Sequence, residues 1–383
     1  MQEWKTYRIG DICKRVCSGG TPKSTEPSYY DGEIPWLNTK EINFNRISST
    51  EKHITQSGLD NSSAKWIDKN SVIVAMYGAT AAKVAINTIP LTTNQACCNL
   101  SIDETKADYR FVYYWLCSHY TELASLANGG AQQNLNAQQI KDFEIKLPEI
   151  EIQQKIADLL WSIDNKIICN KSINDNLEQQ AQALYKSWFV DFEPFKDQEF
   201  VESEFGLIPE GWHCTTISEL LSIKYGKDHK KLAEGIVPVY GSGGLMRYVD
   251  TKLHEGEAVL IPRKGSLNNV MYVNEAFWTV DTMFYSIPKQ EYSCIYAYLF
   301  LANKDLASMN AGSAVPSMTT NILNSMHIIA PPVEVLKRFN NICDVYFSRI
   351  NQNNIENANL SKQRDTLLPK LMSGELKINE IDC

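Results

Sequence analysis

Two long stretches of the chain carry apolar residues at alternating steps of four and three. The first runs Ile156, Leu160, Ile163, Ile167, Asn170, Asn174, Leu177, Ala181, Leu184, Trp188; the second runs Phe339, Cys343, Tyr346, Ile350, Asn353, Asn357, Leu360, Arg364, Leu367, Leu371. A mean step of 3.5 held this long predicts helices that meet along a heptad seam, as in a coiled coil. Each seam is interrupted near its middle by two asparagines, Asn170 and Asn174 in one and Asn353 and Asn357 in the other. A seam asparagine lowers stability and fixes register. Antiparallel pairing sets the two Asn pairs against each other and gives all four amides a partner. Packing of each helix on its own domain would explain the apolar stripe but not the matched asparagines.

A short apolar run ending in proline precedes each helix: IKLPEIEIQQKI at 145–156 and IIAPPVEVLKRF at 328–339. Proline cannot continue a strand ladder but suits a helix start, and the acidic residue that follows favours the positive helix end. Each phrase therefore predicts a strand-to-helix boundary. Upstream, short β-branched and aromatic runs lie between turn phrases such as SGGTP, YYDGEIP and MYGAT in the first half and YGSGG and PRKGS in the second, predicting β-rich domains. Short helices are expected at 108–120 and 291–303.

The halves are copies. At an offset of 183, LASLANGGAQQNLNAQQIKDFEIKLP (123–148) falls on LASMNAGSAVPSMTTNILNSMHIIAP (306–331), and the register continues through both helices without a gap. Gly129 falls on Gly312, Pro148 on Pro331, Glu151 on Glu334 and Asn174 on Asn357. Farther upstream VIVAMYGAT resembles AVLIPRKGS, and Trp4 has a counterpart in Trp212. A repeat that keeps Gly, Pro and Asn positions in step over such a length indicates duplication.

Composition narrows the class. With 383 residues, 44% hydrophobic and 21% charged, the chain is an ordinary globular one with room for two or three domains. The polar start MQEWKTYRIG and the lack of any apolar run near the ~20 residues of a membrane helix lead us to expect a cytoplasmic protein. Ten cysteines show no paired CxxC spacing and read as buried thiols, not as a metal site. The net charge of −8 argues against strong non-specific binding to nucleic acid by the whole surface, but allows local basic loops. There is no Asn/Asp-Pro-Pro-aromatic methyltransferase phrase, no Gly-x-x-x-x-Gly-Lys phosphate loop and no His-Glu-x-x-His. Glu-x-Lys occurs at Glu104–Lys106 and Glu375–Lys377 without an upstream acidic ligand in a hairpin, and the six histidines are scattered.

Taken together, the phrases GGTP (19–22), EIPWLNTKEI (33–42), NGGAQQNLNAQQIKDFEIKLP (128–148), EIQQKIADLL (151–160), ALYKSWFVDFEPF (183–195), GLIPEGW (206–212) and LLPKLMSGEL (367–376) resemble the specificity (S) subunit of type I restriction–modification enzymes, over essentially the whole chain. The resemblance implies an α+β fold: two β-rich target recognition domains joined by two long helices in an antiparallel coiled coil, with an internal pseudo-twofold repeat. The expected parts are recognition domain 1 (1–149), a central spacer helix (150–193), a linker (194–211), recognition domain 2 (212–332) and a C-terminal spacer helix (333–383). Residues 156–188 alone would span roughly 50 Å of helix. The resemblance further implies a non-catalytic DNA sequence-recognition subunit. Each half would read one half of a bipartite, asymmetric target, while the helices set the spacing and dock the methyltransferase subunits. The partners implied are double-stranded DNA, two modification subunits and, for cleavage, two restriction subunits, with no membrane. S-adenosylmethionine, ATP and Mg²⁺ belong to those partners, which give the assembled complex methyltransferase and ATP-dependent endonuclease activity; this chain is expected to hold no cofactor or metal.

Base reading needs Arg, Lys, Asn, Gln, Ser or Thr on loops that reach groove edges. The candidates in the first half are Thr21, Lys23, Asn38, Thr39, Lys40, Lys83, Asn94 and Gln95; those in the second are Lys227, His229, Lys230, Lys231, Ser242, Arg247, Arg263, Lys264 and Ser266. Glycines in SGGTP are expected to present backbone N–H groups to a phosphate. Two other classes fit less well: a protein-interaction scaffold, motivated by the acidic charge, and an enzyme with an unrecognised site, for which no Asp/Glu/His cluster speaks.

Overall fold

The computed structural model describes residues 4–127, 134–309 and 317–378. Gly129 and Gly312, matched in the repeat, lie outside these. The chain forms two compact units, Met1–Cys169 with Glu356–Cys383, and Asn170–Ile355. Two helices of 40 residues each, the central helix Ile150–Phe189 and the C-terminal helix Val333–Met372, contribute to both.

Unit 1 contains β1 (Lys5–Arg8), β2 (Cys13–Ser18), β3 (Tyr30–Leu37), β4 (Asn45–Ile47), β5 (Lys52–Ile54), β6 (Trp66–Ile67), β7 (Val72–Ala75), β8 (Val84–Asn87), β9 (Leu91–Thr93), β10 (Cys97–Ile102) and β11 (Glu144–Leu147). One sheet has the order β2-β10-β7-β8-β4, a second β5-β3-β9-β6, and β1 pairs with β11. Strands β7 and β8 are buried at every residue because both sheet faces are covered. On one face Val72, Val74, Val84 and Ile86 pack under Phe111, Tyr114 and Trp115 of the helix Tyr109–Ser118. On the other, Ile73, Ala75 and Ala85 meet Leu37, Ile42 and Leu91.

Unit 2 contains β12 (Phe200–Ser203), β13 (Gly206–Pro209), β14 (His213–Thr216), β15 (Leu221–Tyr225), β16 (Val237–Gly241), β17 (Gly244–Val249), β18 (His254–Pro262), β19 (Met271–Thr279), β20 (Met283–Pro288) and β21 (His327–Ala330). Its main sheet has the order β15-β20-β18-β19-β16-β17. Val259, Ile261 and Phe284 lie under Ile295, Tyr296 and Leu299 of the helix Ser293–Ala302. Residues 194–211, read from sequence as a linker, hold the β12–β13 hairpin, and Phe195 and Ile208 are buried in the core with Trp188 and Trp212. The apolar residues of that stretch make it part of unit 2.

The duplication is visible element by element. β11 and β21, and the two long helices, have boundaries 183 residues apart. So do the N-caps Asn136 and Thr319, whose side chains accept from Gln139 N at 2.9 Å and Ile322 N at 3.3 Å. In each unit a strand lies parallel to its neighbour over two residues, β3 beside β9 with Trp36 opposite Thr92, and β16 beside β19 with Val239 opposite Trp278. All twenty seam positions are buried or half-buried. The two helices run antiparallel within each unit. In unit 2 Asn353 donates to Asn174 at 2.7 Å while Trp188 meets Phe339; in unit 1 Arg364 donates to Asp164 at 2.9 Å while Lys166 meets Glu356 at 3.4 Å. Asn174 also donates to Asn354 at 2.9 Å, a residue outside the heptad pattern. Asn170 is buried and Asn357 half-buried.

Candidate nucleic-acid interface

In unit 1 three loops converge at the ends of β2, β3 and β9. Gly20 N donates to Thr93 O at 2.8 Å, Asn94 N to Leu37 O at 3.0 Å, and Thr21 Oγ1 to Gln95 Oε1. A Cβ on Gly19 would sit 2.1 Å from Thr93 O, and one on Gly20 2.2 Å from Ala64 N, so only glycine fits either place. Gly19 N donates to Cys97 O. The N–H groups expected to meet a phosphate are therefore used inside the fold, and the glycines serve close backbone packing. Trp36 Nε1 donates to Gly20 O at 2.9 Å and fixes the loop from behind.

This convergence gathers most of the first-half candidates. Thr21, Lys23, Lys40 and Gln95 are exposed, and Asn38 and Thr39 half-buried. Asn38 and Glu41 form a reciprocal capping box over Thr39–Glu41. Glu41 also accepts from Glu51 N at 2.9 Å, and Lys40 pairs with Glu51 at 2.6 Å. The bond to Glu51 pushes the Lys40 ammonium above its ordinary range. Lys83 donates to Asn43 at 2.8 Å and so reaches the same side. Asn94 is buried, its Oδ1 accepting from Ala96 N at 3.1 Å; its side chain holds the turn. Lys23 O accepts from Glu26 N at 3.1 Å, and its ammonium makes no hydrogen bond or ion pair among the described residues.

Unit 2 builds an equivalent cluster from different letters. Gly226 N donates to Met283 O at 3.0 Å, Lys227 N to Thr279 O at 2.9 Å, and Trp278 Nε1 to Lys227 O at 2.9 Å. Gly226-Lys227 thus does the work of Gly19-Gly20. Arg263 donates to Asp281 O at 3.1 Å, and its guanidinium lies 5.6 Å from the Tyr225 ring centre. Lys264 forms a backbone bridge with Ser317, and Ser242 O accepts from Asn269 Nδ2 at 2.8 Å. Lys227, Lys264 and Ser266 are exposed and Ser242 half-buried beside them. His229, Lys230 and Lys231 occupy the adjoining loop, where Asp228 accepts from Lys230 N at 3.0 Å. Arg247 donates to His229 O at 3.0 Å and Leu232 O at 2.7 Å, so it holds that loop on β17.

Two sets of exposed residues escaped the sequence reading. Tyr77 in unit 1, and Tyr225, Leu245, Met246 and Tyr248 in unit 2, present large apolar surface close to the candidate loops. In the sequence only the Gly243-Gly244 turn before Leu245-Met246 marks that pair as a hairpin tip. Among the described residues no group of three or more His, Cys, Asp and Glu is placed to hold a metal, and no helix is long and apolar enough to cross a membrane.

Comparison with known proteins meets this geometry at the same two places. The family model for the type I restriction modification DNA specificity domain matches residues 1–179 and again 209–360. The MjaIX type I restriction enzyme specificity subunit of Methanocaldococcus jannaschii is 27% identical, covering 99% of this chain and 95% of its own length. The HindI specificity subunit of Haemophilus influenzae is 22% identical over 98% and 100%. The crystal structure of a type I restriction–modification S subunit from M. genitalium superposes with a TM-score of 0.62 at 20% identity, covering 96% of each chain, and shares the fold. A duplicated scaffold matched twice by one family model leaves a single assignment: this chain belongs to the type I restriction–modification DNA specificity family.

Proposed function

We propose that the chain reads a bipartite, asymmetric DNA target for a type I restriction–modification complex, one half-site per unit. The observation that carries this is the pair of equivalent loop clusters built on one scaffold from different side chains. Thr21, Asn38, Lys40 and Gln95 surround the first; Lys227, Arg263, Lys264 and Ser266 surround the second. A common frame with unlike polar loops is what two different half-sites require. Arg263, with one N–H on Asp281 O and its face toward Tyr225, is oriented to fork onto a guanine.

The paired helices set the spacing between half-sites and dock two methyltransferase subunits, with two restriction subunits joining for cleavage. S-adenosylmethionine, ATP and Mg²⁺ act on those partners, this chain is not a catalyst, and the complex works in the cytoplasm. The test is methylome sequencing of the host with and without the gene. A split methylated motif that vanishes on deletion is expected, and replacing residues 212–332 by those of a relative should change one half-site only. Change in both halves, or no gene-dependent motif, would overturn the reading.

A further inference from the structure

The duplication places equivalent residues in the two units, and at one point their chemistry is inverted. In unit 1 the sheet, the helix Tyr109–Ser118 and the paired long helices enclose two arginines. Arg46, on β4, stacks its guanidinium 3.3 Å from the Trp161 ring centre and donates to Trp161 O at 3.3 Å and to Asn165 Oδ1. Arg364 donates to Asp164 Oδ1 at 2.9 Å, and the second oxygen of Asp164 accepts from Tyr114 OH at 2.5 Å. The place is filled by guanidinium groups of the chain itself, on an aromatic face and a carboxylate.

Move 183 residues along and the cations are gone. Trp161 corresponds to Asp344, Asp164 to Phe347, Asn165 to Ser348, and Arg364 to Ala181. Unit 2 has here a cavity of about 330 Å³. Its wall includes three rings in mutual contact: Tyr272 and Phe347 centres lie 4.9 Å apart, Tyr298 and Phe347 5.6 Å, Tyr272 and Tyr298 6.0 Å. Glu178, Glu275 and Asp344 also line it, and no Lys, Arg or His does. Tyr240, on β16, donates its hydroxyl to Glu275 at 2.6 Å. Among the described residues none of the three carboxylates forms an ion pair. Their charge reaches the rings: burial and then Glu178 push the Tyr298 phenol up, and burial and Glu257, with smaller effects of Cys294 and Asp344, push Tyr272 up.

We infer that this cavity is a receptor for a guanidinium group, supplied by an arginine side chain of a partner protein, in the role that Arg46 and Arg364 play within unit 1. Aromatic faces and uncompensated carboxylates around a cavity are the two elements that bind such a cation, by cation–π attraction and charge-assisted hydrogen bonds. A flat guanidinium fits both better than an ammonium does.

The first measurement uses the full chain and Nα-acetyl-arginine methylamide, with its neutral citrulline counterpart as control, in saturation-transfer NMR. The arginine compound should bind and the citrulline compound should not. The exposed pair D344N/E178Q should weaken binding by about tenfold without lowering the melting temperature. N351R, on the rim, should fill the cavity from within and abolish binding. Equal binding of both compounds, or no response to these variants, would overturn the site. The second measurement rests on the assembly proposed above: N351R should weaken association with the methyltransferase subunits by about tenfold. Unchanged association, with the first result positive, would make the ligand a free guanidinium compound and overturn the partner. Failure of the unaltered chain to associate would sink the assembly reading and the partner with it, while leaving the NMR result to decide the site.

Discussion

Asp164 takes a phenol on one oxygen and a guanidinium on the other, and little else can replace it. Its side chain is 14% exposed and that of Arg364 30%, so the pair is largely removed from water. Asp164→Ala leaves the Arg364 charge and the Tyr114 hydroxyl half-paired, and should cost about 2 kcal/mol in urea denaturation. A loss below a few tenths would show that water replaces the carboxylate freely. Arg364 illustrates what the residue scale hid from the sequence. The heptad placed it on the seam correctly, but its partner lies 200 positions away. The same holds for Arg247: its basic side chain in a loop-rich stretch suggested a DNA contact, and only the fold shows that two backbone carbonyls already occupy it. Charge type is written in the sequence; what the charge faces is a matter of long-range contacts.

Elements were far more legible. The prolines and the 183-residue offset located the starts of both long helices, because strand-to-helix boundaries are local properties, whereas the C-terminal helix, expected to run to 383, ends at Met372. Harder to see was the division of the first half into two sheets. Trp36 of β3 lies parallel to Thr92 of β9, a pairing that no local pattern encodes. The seam offers a sharper test. Asn353→Leu alone removes a donor from Asn174 and should cost about 1 kcal/mol. Changing Asn174 and Asn353 both to Leu should recover that loss or exceed it, while relaxing the register, which cross-linking of introduced cysteines can read. A double variant no more stable than the single one would mean that the asparagines are held by more than each other. A break in the helix is a different insult. Leu177→Pro should cost about 3 kcal/mol locally and abolish recognition of the complete split site, with circular dichroism close to normal. Unchanged recognition of that site would count against a spacer role for the central helix.

For the whole molecule the decisive quantity is the contrast between a net charge of −8 and a few basic loops. DNA affinity of such a chain must come from a small number of phosphate contacts, and so be sensitive to each. If Lys230 and Lys231 both reach phosphates, replacing them with alanine should reduce the slope of log affinity against log salt by about 2, leaving sequence preference unchanged. An unaltered slope would place the loop away from the backbone.

The two loop clusters share one further property. Trp36 and Trp278 stand at unrelated sequence positions, yet each gives its indole N–H to the carbonyl behind a glycine turn, Gly20 in one unit and Lys227 in the other. Indole emission responds to that bond and to the burial around it. Each cluster thus contains its own fluorophore, and although the chain has eight tryptophans, Trp36→Phe and Trp278→Phe single out the two that matter. Difference spectra between these variants would separate the engagement of one half-site from that of the other, in real time and without a label.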